Sequence, residues 1–410
     1  MQQQLTGLVE FDYRYFYEPW EDEADKVRSI RTRAVALRAG AWHTDPDTVV
    51  WLKTLVQIDE DWSVRQAAVK ALARGWKDDP EILPIIKARV QTDGHWAEHW
   101  AVRQAAMEAL AQGWKDDPET LLILKALAQT DEYRAVRQAA VQELARGWKD
   151  DPGVLPWLKS RVQIDEHRAV RPVAVQELAL GWKDDPETLT ILKALAQTDE
   201  DKVVQQVAVQ ELARGWKDDP ETLTILKALA LNDEGWIVRW VAAQELARGW
   251  KDAPETLPIL KARAQTDESE IVRQAAVREL ARGWKDDPDT LPMLKARAQI
   301  DGDRIVRWVA VRELARGWKD DPETLPWLKA RAQTDADGDV RQAAVEALAR
   351  GWKDDPEVLS ILKARAQTDT AKDVRQAAVR ELARGWKDAP EVLAILNAYA
   401  RTDNIDISGN

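Results

Sequence analysis

Apolar positions recur along the chain in two alternating helical registers. After Asp79-Pro80-Glu81, the residues Leu83, Ile86 and Val90 fall at i, i+3 and i+7, one face of an amphipathic helix, here called A. The start signals agree: Asp79 can accept N–H bonds of the first turn, Pro80 gives up an N–H that has no partner there, and Glu81 lies at the positive dipole end. The same apolar pair returns as Leu121/Leu124, Leu189/Leu192, Leu257/Leu260 and Leu359/Leu362. Pro84, Pro156, Pro258, Pro292 and Pro326 sit early in their A helices and predict loosened or bent first turns. A second helix, B, is predicted from about Glu132 to Arg146, with Asp131 as N-cap and Val136, Ala140 and Leu144 as its apolar stripe. Gly147 predicts a left-handed residue that ends it, and Trp148 an apolar anchor over the joint.

This A–B unit repeats. Gly-Trp-Lys-Asp places Trp at 76, 114, 148, 182, 216, 250, 284, 318, 352 and 386, and Trp42 continues the series backwards. The spacing is 34 residues except between Trp76 and Trp114, where four residues are inserted. A fixed period of this length denotes stacked helical pairs, each unable to bury its apolar face alone. The chain therefore divides into an aromatic segment at 1–25, a repeat array at 26–403 and a polar tail at 404–410. Irregularities fall near 94–101 and across 165–215, where Pro172 follows Arg171 inside the expected B helix and Gln205 stands where other repeats carry Arg; this stretch is the softest of the array or a change in its curvature, or else helix B simply starts later there. Phe11, Tyr13, Phe16 and Trp20 most simply cap the array; the alternative is a docking segment for a partner or a second copy.

The string D-x-x-x-x-V-R-x-x-A-x-x-x-L, as from Asp131 through Arg137, resembles the HEAT-repeat family and in particular its bacterial short-repeat, lyase-type branch. The wording ELARGWKDDPETLPILKARAQTD is also similar to cyanobacterial arrays found alone or attached to NACHT-type NTPases, although no nucleotide-binding loop is present. Tetratricopeptide repeats share the period but place Trp early in the first helix rather than after the second. The HEAT resemblance implies an all-α, right-handed superhelical solenoid of about eleven repeats, with B helices lining its concave face. It also implies an Asp–Arg ladder between adjacent repeats: Asp59/Arg65, Asp131/Arg137, Asp165/Arg171, Asp233/Arg239, Asp267/Arg273, Asp301/Arg307, Asp335/Arg341 and Asp369/Arg375.

Charge changes the picture on the B face. A helical wheel puts four exposed rows along the B helices, and these carry +4, 0, +2 and +8, a strip of net +14 on a chain of net −12. The fourth row is Arg in eight of ten repeats, from Arg74 to Arg384; Glu three residues earlier, as at Glu143, can pair with it. Trp62, Trp100, Arg134, Arg168, Trp236, Trp240, Arg304, Trp308 and Arg312 on these rows form a candidate partner-binding set, since Trp and Arg dominate interface hot spots. The reading is a cytoplasmic, non-catalytic scaffold or sensor for a folded protein or peptide with an acidic patch, with no cofactor and no membrane. The rival is nucleic acid along the same strip. Zero Cys excludes disulfides, thiolate metal sites and a Cys nucleophile. His95, Glu98 and His99 spell an inverted zinc-protease motif, a low-weight hydrolase alternative better read as a lengthened helix or a binding bump.

Overall fold

A computed structural model describes residues 21–92, 100–163 and 169–403. Among these residues the regular structure is helical throughout: a first helix Glu21–Ala41, ten A–B pairs from Pro46–Ile58 and Trp62–Gly75 to Pro356–Thr368 and Lys372–Gly385, and a last A helix Pro390–Asp403. Residues 1–20 of the aromatic segment, the His95-Glu98-His99 motif, Asp165, Arg168 and the polar tail lie outside the described residues.

The chain falls into two compact units, Met1–Leu195 and Ala196–Asn410. Each is an all-α solenoid of HEAT-like pairs. Inside either unit, a B helix packs on its own A helix and on the B helices before and after it, whereas successive A helices touch only sparsely. Alanine explains the close B–B approach: Ala139 and Ala140 in the first unit, and Ala275, Ala276, Ala343 and Ala344 in the second, are buried. Locally, then, the B helices lie on the inner side of each stack.

The B-helix stripe Val136, Ala140 and Leu144 is fully or almost fully buried, as the four-residue spacing predicts. The A-helix stripe differs from its prediction. Ile82, Ile86 and Val90 are the buried residues and Leu83 is only half-buried; in other repeats the corresponding positions are Thr120, Leu124 and Ala128, or Thr222, Leu226 and Ala230. Some of these buried threonine hydroxyls find a local acceptor, as where Thr256 Oγ1 donates to the Trp250 carbonyl at 2.8 Å, whereas those of Thr48 and Thr222 are buried without one.

Three local expectations are corrected. Asp131 does not cap helix B. It closes helix A, its N–H bonded to the Leu127 carbonyl and its carboxylate accepting from the Tyr133 N–H at 2.9 Å, and helix B begins at Arg134. In four repeats the B cap is an Asp two residues further on: Asp61, Asp201, Asp303 and Asp337. Gly147 is not left-handed, nor is any other described glycine. The chain leaves the helix through Trp148 at φ −123° and ψ 38°, whose carbonyl accepts from Asp151 N–H at 3.1 Å.

The second proline removes the first α-turn rather than bending it. Helices without it start at the first proline, as in Pro220–Asn232, but Pro258 cannot donate to the Pro254 carbonyl, and that helix starts at Thr256. At Pro172 the structure agrees with the alternative of a late start. The helix starts late, at Arg171, and Pro172 occupies its first turn, where the missing N–H costs nothing.

A candidate partner-binding surface on the B helices

Two layers of charge underlie this surface. The deeper one is a ladder. Arg239 donates through Nε and Nη2 to both carboxylate oxygens of Asp267 in the next repeat, at 2.9 and 2.8 Å, and through Nη1 to the carbonyls of Asp233 and Glu234 at 2.8 and 3.0 Å. Arg273 holds Asp301 and Arg341 holds Asp369 with the same bidentate geometry; Arg103 holds Asp131, and Arg307 approaches Asp335 at 3.8 Å. Within one repeat, the Arg takes the Asp carbonyl rather than its carboxylate, as for Arg65 with Asp59 at 2.7 Å and Arg375 with Asp369 at 2.7 Å, and likewise for Arg137 with Asp131. Arg171 donates to the Val162 carbonyl at 3.0 Å.

Burial alone would raise the carboxyl of Asp267. The hydrogen bonds from Arg239 and the Ser269 N–H, with the charges of Arg239 and Arg263, outweigh it and hold Asp267 below the usual carboxylate range. Asp369 is held down in the same way by Arg341, the Ala371 N–H and Arg365. Asp59 goes the other way: its burial outweighs Arg31 and pushes it up.

One rung is rebuilt. Gln205 is buried where Arg would stand and donates to the Ala196 carbonyl at 3.3 Å. Lys202, on the outer row, turns in to take its place, with Nζ 2.8 Å from Gln205 Oε1 and 3.4 Å from Asp233 of the next repeat. Gly235 leaves room for this path: a Cβ there would lie 2.9 Å from Lys202 Cδ, and the lysine chain would have to shift. No other described repeat has glycine at that position. The sequence signal was a Gln, a Lys three residues before it and a Gly one period after the Asp201 cap.

The outer layer is the row of arginines, and buried glutamates answer most of it. Arg146 reaches Glu177 of the next repeat at 3.0 Å, Arg282 reaches Glu313 at 3.4 Å and Arg350 reaches Glu381 at 3.2 Å. Arg214, Arg248 and Arg384 pair three residues back, with Glu211, Glu245 and Glu381. Burial pushes the carboxyls of Glu177 and Glu245 up, against the opposing charges of Arg146 and of Arg248 with Arg214. On the opposite edge, Lys53, Lys87, Lys159 and Lys329 each clamp the second Asp and the Glu of the next Asp-Asp-Pro-Glu turn, the Lys53 contacts being 2.7 and 2.8 Å. Both charge poles are thus smaller than the row sums imply.

Arg74, Arg134 and Lys372 have no carboxylate within 4 Å among the described residues, and one further set of such cations is clustered. In the second unit an open groove of about 520 Å³ is lined by Arg278, Arg282, Trp308, Arg312, Glu313, Arg316, Glu346 and Arg350, among others. Arg312 lies over the Trp308 ring, 4.5 Å from its centroid, a cation–π contact. Arg278, Arg312 and Arg316 have no carboxylate within 4 Å among the described residues. Elsewhere on the same row charges come in answered sets: Lys70 meets Glu108 at 3.9 Å, and Arg380 meets Glu346 at 3.3 Å.

The remaining candidate residues do not converge on this groove. In the first unit, Trp62 is half-buried with the Arg28 guanidinium 6.0 Å from its ring centroid, while Trp100 and Arg134 are exposed. In the second, Trp236 is 39% exposed and Trp240 half-buried, both outside the groove lining. Arg304 is engaged by Asp339 at 3.0 Å, so it does not offer a free charge. No group of three or more His, Asp or Glu among the described residues is arranged to hold a metal ion, and no described helix is long and apolar enough to cross a membrane.

Comparison with known proteins agrees with this architecture. The family model described as HEAT repeats matches residues 18–97 and, in overlapping copies, 124–213, 179–247, 199–281, 223–315, 257–349 and 291–383. No curated protein matches the chain. Among solved structures, the chain is similar to Kap95p bound to RanGDP at 14% identity, over 97% of this chain and 62% of that one, with a TM-score of 0.50. It is similar to Kap121p bound to RanGTP at 15% identity, over 98% and 51%, with a TM-score of 0.48, and to Escherichia coli YibA at 20%, over 61% and 96%, with a TM-score of 0.39. The chain spans about half to three-fifths of these Kap95p and Kap121p chains, and at such identities the likeness is one of fold. With the repeat pattern matched over most of its length, the chain belongs to the HEAT-repeat family.

Proposed function

We propose that this chain is a non-catalytic scaffold that holds a protein or peptide on its B-helix face, with the Trp308 groove as principal contact. The observation that carries this reading is the trio Arg278, Arg312 and Arg316, unanswered by any described carboxylate and gathered around a half-buried Trp. Three unanswered cations favour an anionic partner, and an aromatic–Arg cluster is the composition of an interface hot spot. Trp236 and Trp240 supply a further apolar contact in the same unit. A fold of this kind accommodates a folded protein in the Kap95p complex with RanGDP. We further propose the narrower affiliation with bacterial lyase-type repeats and a role as the sensor part of a signalling assembly, on the strength of the sequence wording alone.

Nucleic acid is the weaker reading because the positive strip is not continuous. Arg146, Arg214, Arg248 and Arg384 are each neutralised by a buried Glu, which leaves no regular track of free cations for successive phosphates. Fluorescence anisotropy tests both. A labelled peptide alternating Glu with aromatic residues, and labelled single-stranded and duplex DNA and RNA, are titrated at low and high salt. The peptide is expected to bind in a salt-sensitive way, and R312A/R316A or W308A to weaken it by about 2 kcal/mol, roughly 30-fold, with unchanged helical circular dichroism. Tighter binding of nucleic acid than of peptide, with a steep salt slope, would refute the proposal.

A further inference from the structure

The chain itself carries a segment of the chemistry this groove lacks. Residues 8–20, LVEFDYRYFYEPW, which precede the first helix, contain three carboxylates, a single Arg, no Lys and six aromatic side chains. The other dense acid of the sequence, in the Asp-Asp-Pro-Glu turns, is largely engaged, as where Lys53 holds Asp79 and Glu81 and Lys329 holds Asp355 and Glu357. We propose that the Trp308 groove binds residues 8–20 of a second copy of this chain.

The fit rests on two complementarities, and on the reading of the groove as a site for an acidic segment. Glu10, Asp12 and Glu18 lie close together in sequence and match three cations without internal partners, Arg278, Arg312 and Arg316. The aromatic residues between those acids suit a groove in which Arg312 already covers Trp308, since a guanidinium with a ring on one face can take another on its open face. Reciprocal exchange between two copies gives a closed pair with two equivalent contacts. Supply by a second copy also places no demand on geometry within one copy.

Sedimentation velocity of the full-length chain tests this through complementation. Wild type is expected to associate as concentration rises through the micromolar range, and to do so less at high salt. R278E/R312E/R316E reverses the groove, and E10K/D12K/E18K reverses the segment without altering a described residue. Each variant alone is expected to remain monomeric. Their equimolar mixture is expected to associate, because one supplies an intact segment and the other an intact groove. A wild type that stays monomeric throughout, a mixture that stays monomeric, or association that survives both reversals overturns the inference. The scaffold reading is judged separately, by whether the Glu–aromatic peptide binds wild type and loses affinity in R312A/R316A.

Discussion

Replacing Arg239 by Gln copies into one repeat the change that the chain itself carries at Gln205, and its cost can be worked from the rung. Arg239 makes two bonds to a carboxylate whose side chain has no exposed surface, and two more to backbone carbonyls. Removing one partner of a buried ion pair costs about 3–5 kcal/mol, mostly the penalty of leaving the other charge unanswered. Asp267 keeps Arg263 at 3.1 Å and the Ser269 N–H at 2.9 Å, which places R239Q at the low end, about 3 kcal/mol. In a stack held by nearest neighbours that loss is local, and a single global melting temperature would dilute it. Hydrogen exchange read by mass spectrometry over residues 236–266 is the suitable assay, with about 3 kcal/mol appearing as a rise of roughly 150-fold in exchange limited by local opening. The natural compensation can be transplanted as well. W236K supplies the lysine equivalent to Lys202, and S269G removes the Cβ that would meet it, as Gly235 does in the native rung. The triple variant W236K/R239Q/S269G should recover most of the lost protection, and W236K/R239Q without the glycine should not. Protection in R239Q within about threefold of wild type, or a triple variant no better than R239Q, would show that the ladder is not what couples these repeats.

The ladder and the buried glutamates should respond to pH in opposite directions. Asp267 and Asp369 sit below the usual carboxylate range when folded, so their contribution is complete above the unfolded value of about 4 and is lost as pH falls below it. Glu245 sits above its unfolded value because it is buried, so its contribution is greatest at low pH and declines as pH rises through the folded value. Exchange protection around Trp236–Gly249, corrected for intrinsic rates, should therefore fall from weakly acidic to neutral pH, and E245Q should flatten that trend; a rise, or an unaltered slope in E245Q, contradicts the assignment. Pro258→Ala should restore the missing first turn of its helix, seen by nuclear magnetic resonance as a newly protected amide at position 258. The change in stability should be under about 1 kcal/mol, because the proline also restricts the unfolded chain; no new protection there would mean that something other than the absent donor sets the helix start.

Much of the fold was legible because the period, the Val-Ala-Leu stripe and the terminal Trp each follow from spacing alone. The misread parts share a cause: they depend on register between repeats or on where a polar atom finds its partner. Asp131 looks like an N-cap in the text, but it ends one helix, and a later Asp caps the next in some repeats. The buried Thr120 and Thr222 were not singled out from the sequence, while Leu121 and its equivalents look like core and sit at its edge. The pairing of Arg with a Glu three residues before it was visible; that of Arg146 with Glu177, 31 residues on, requires the stacking register. For the same reason Trp62 and Arg304 looked available, although Arg28 shields one ring face and Asp339 holds the guanidinium.

Compensation is what separates a structural irregularity from a functional one in this array. Where the ladder loses its Arg at Gln205, three positions change together: Lys202 turns inward, Gly235 clears its path, and Asp233 receives a cation. Where the outer row gains charge at Lys70 or Arg380, an acid in the neighbouring repeat meets it. Arg278 and Arg312 are also gains of charge, at a position where four consecutive earlier repeats carry Gln, yet no acid has been added to answer them and each stands in a repeat next to the other's. Placing like charges side by side is unfavourable unless a counter-charge intervenes, and the one favourable packing contact is that of Arg312 with the Trp308 ring; both side chains line an open groove and are not part of the core. In the proposed scaffold, the counter-charge that the neighbouring repeats do not supply to this adjacent pair lies on the binding partner.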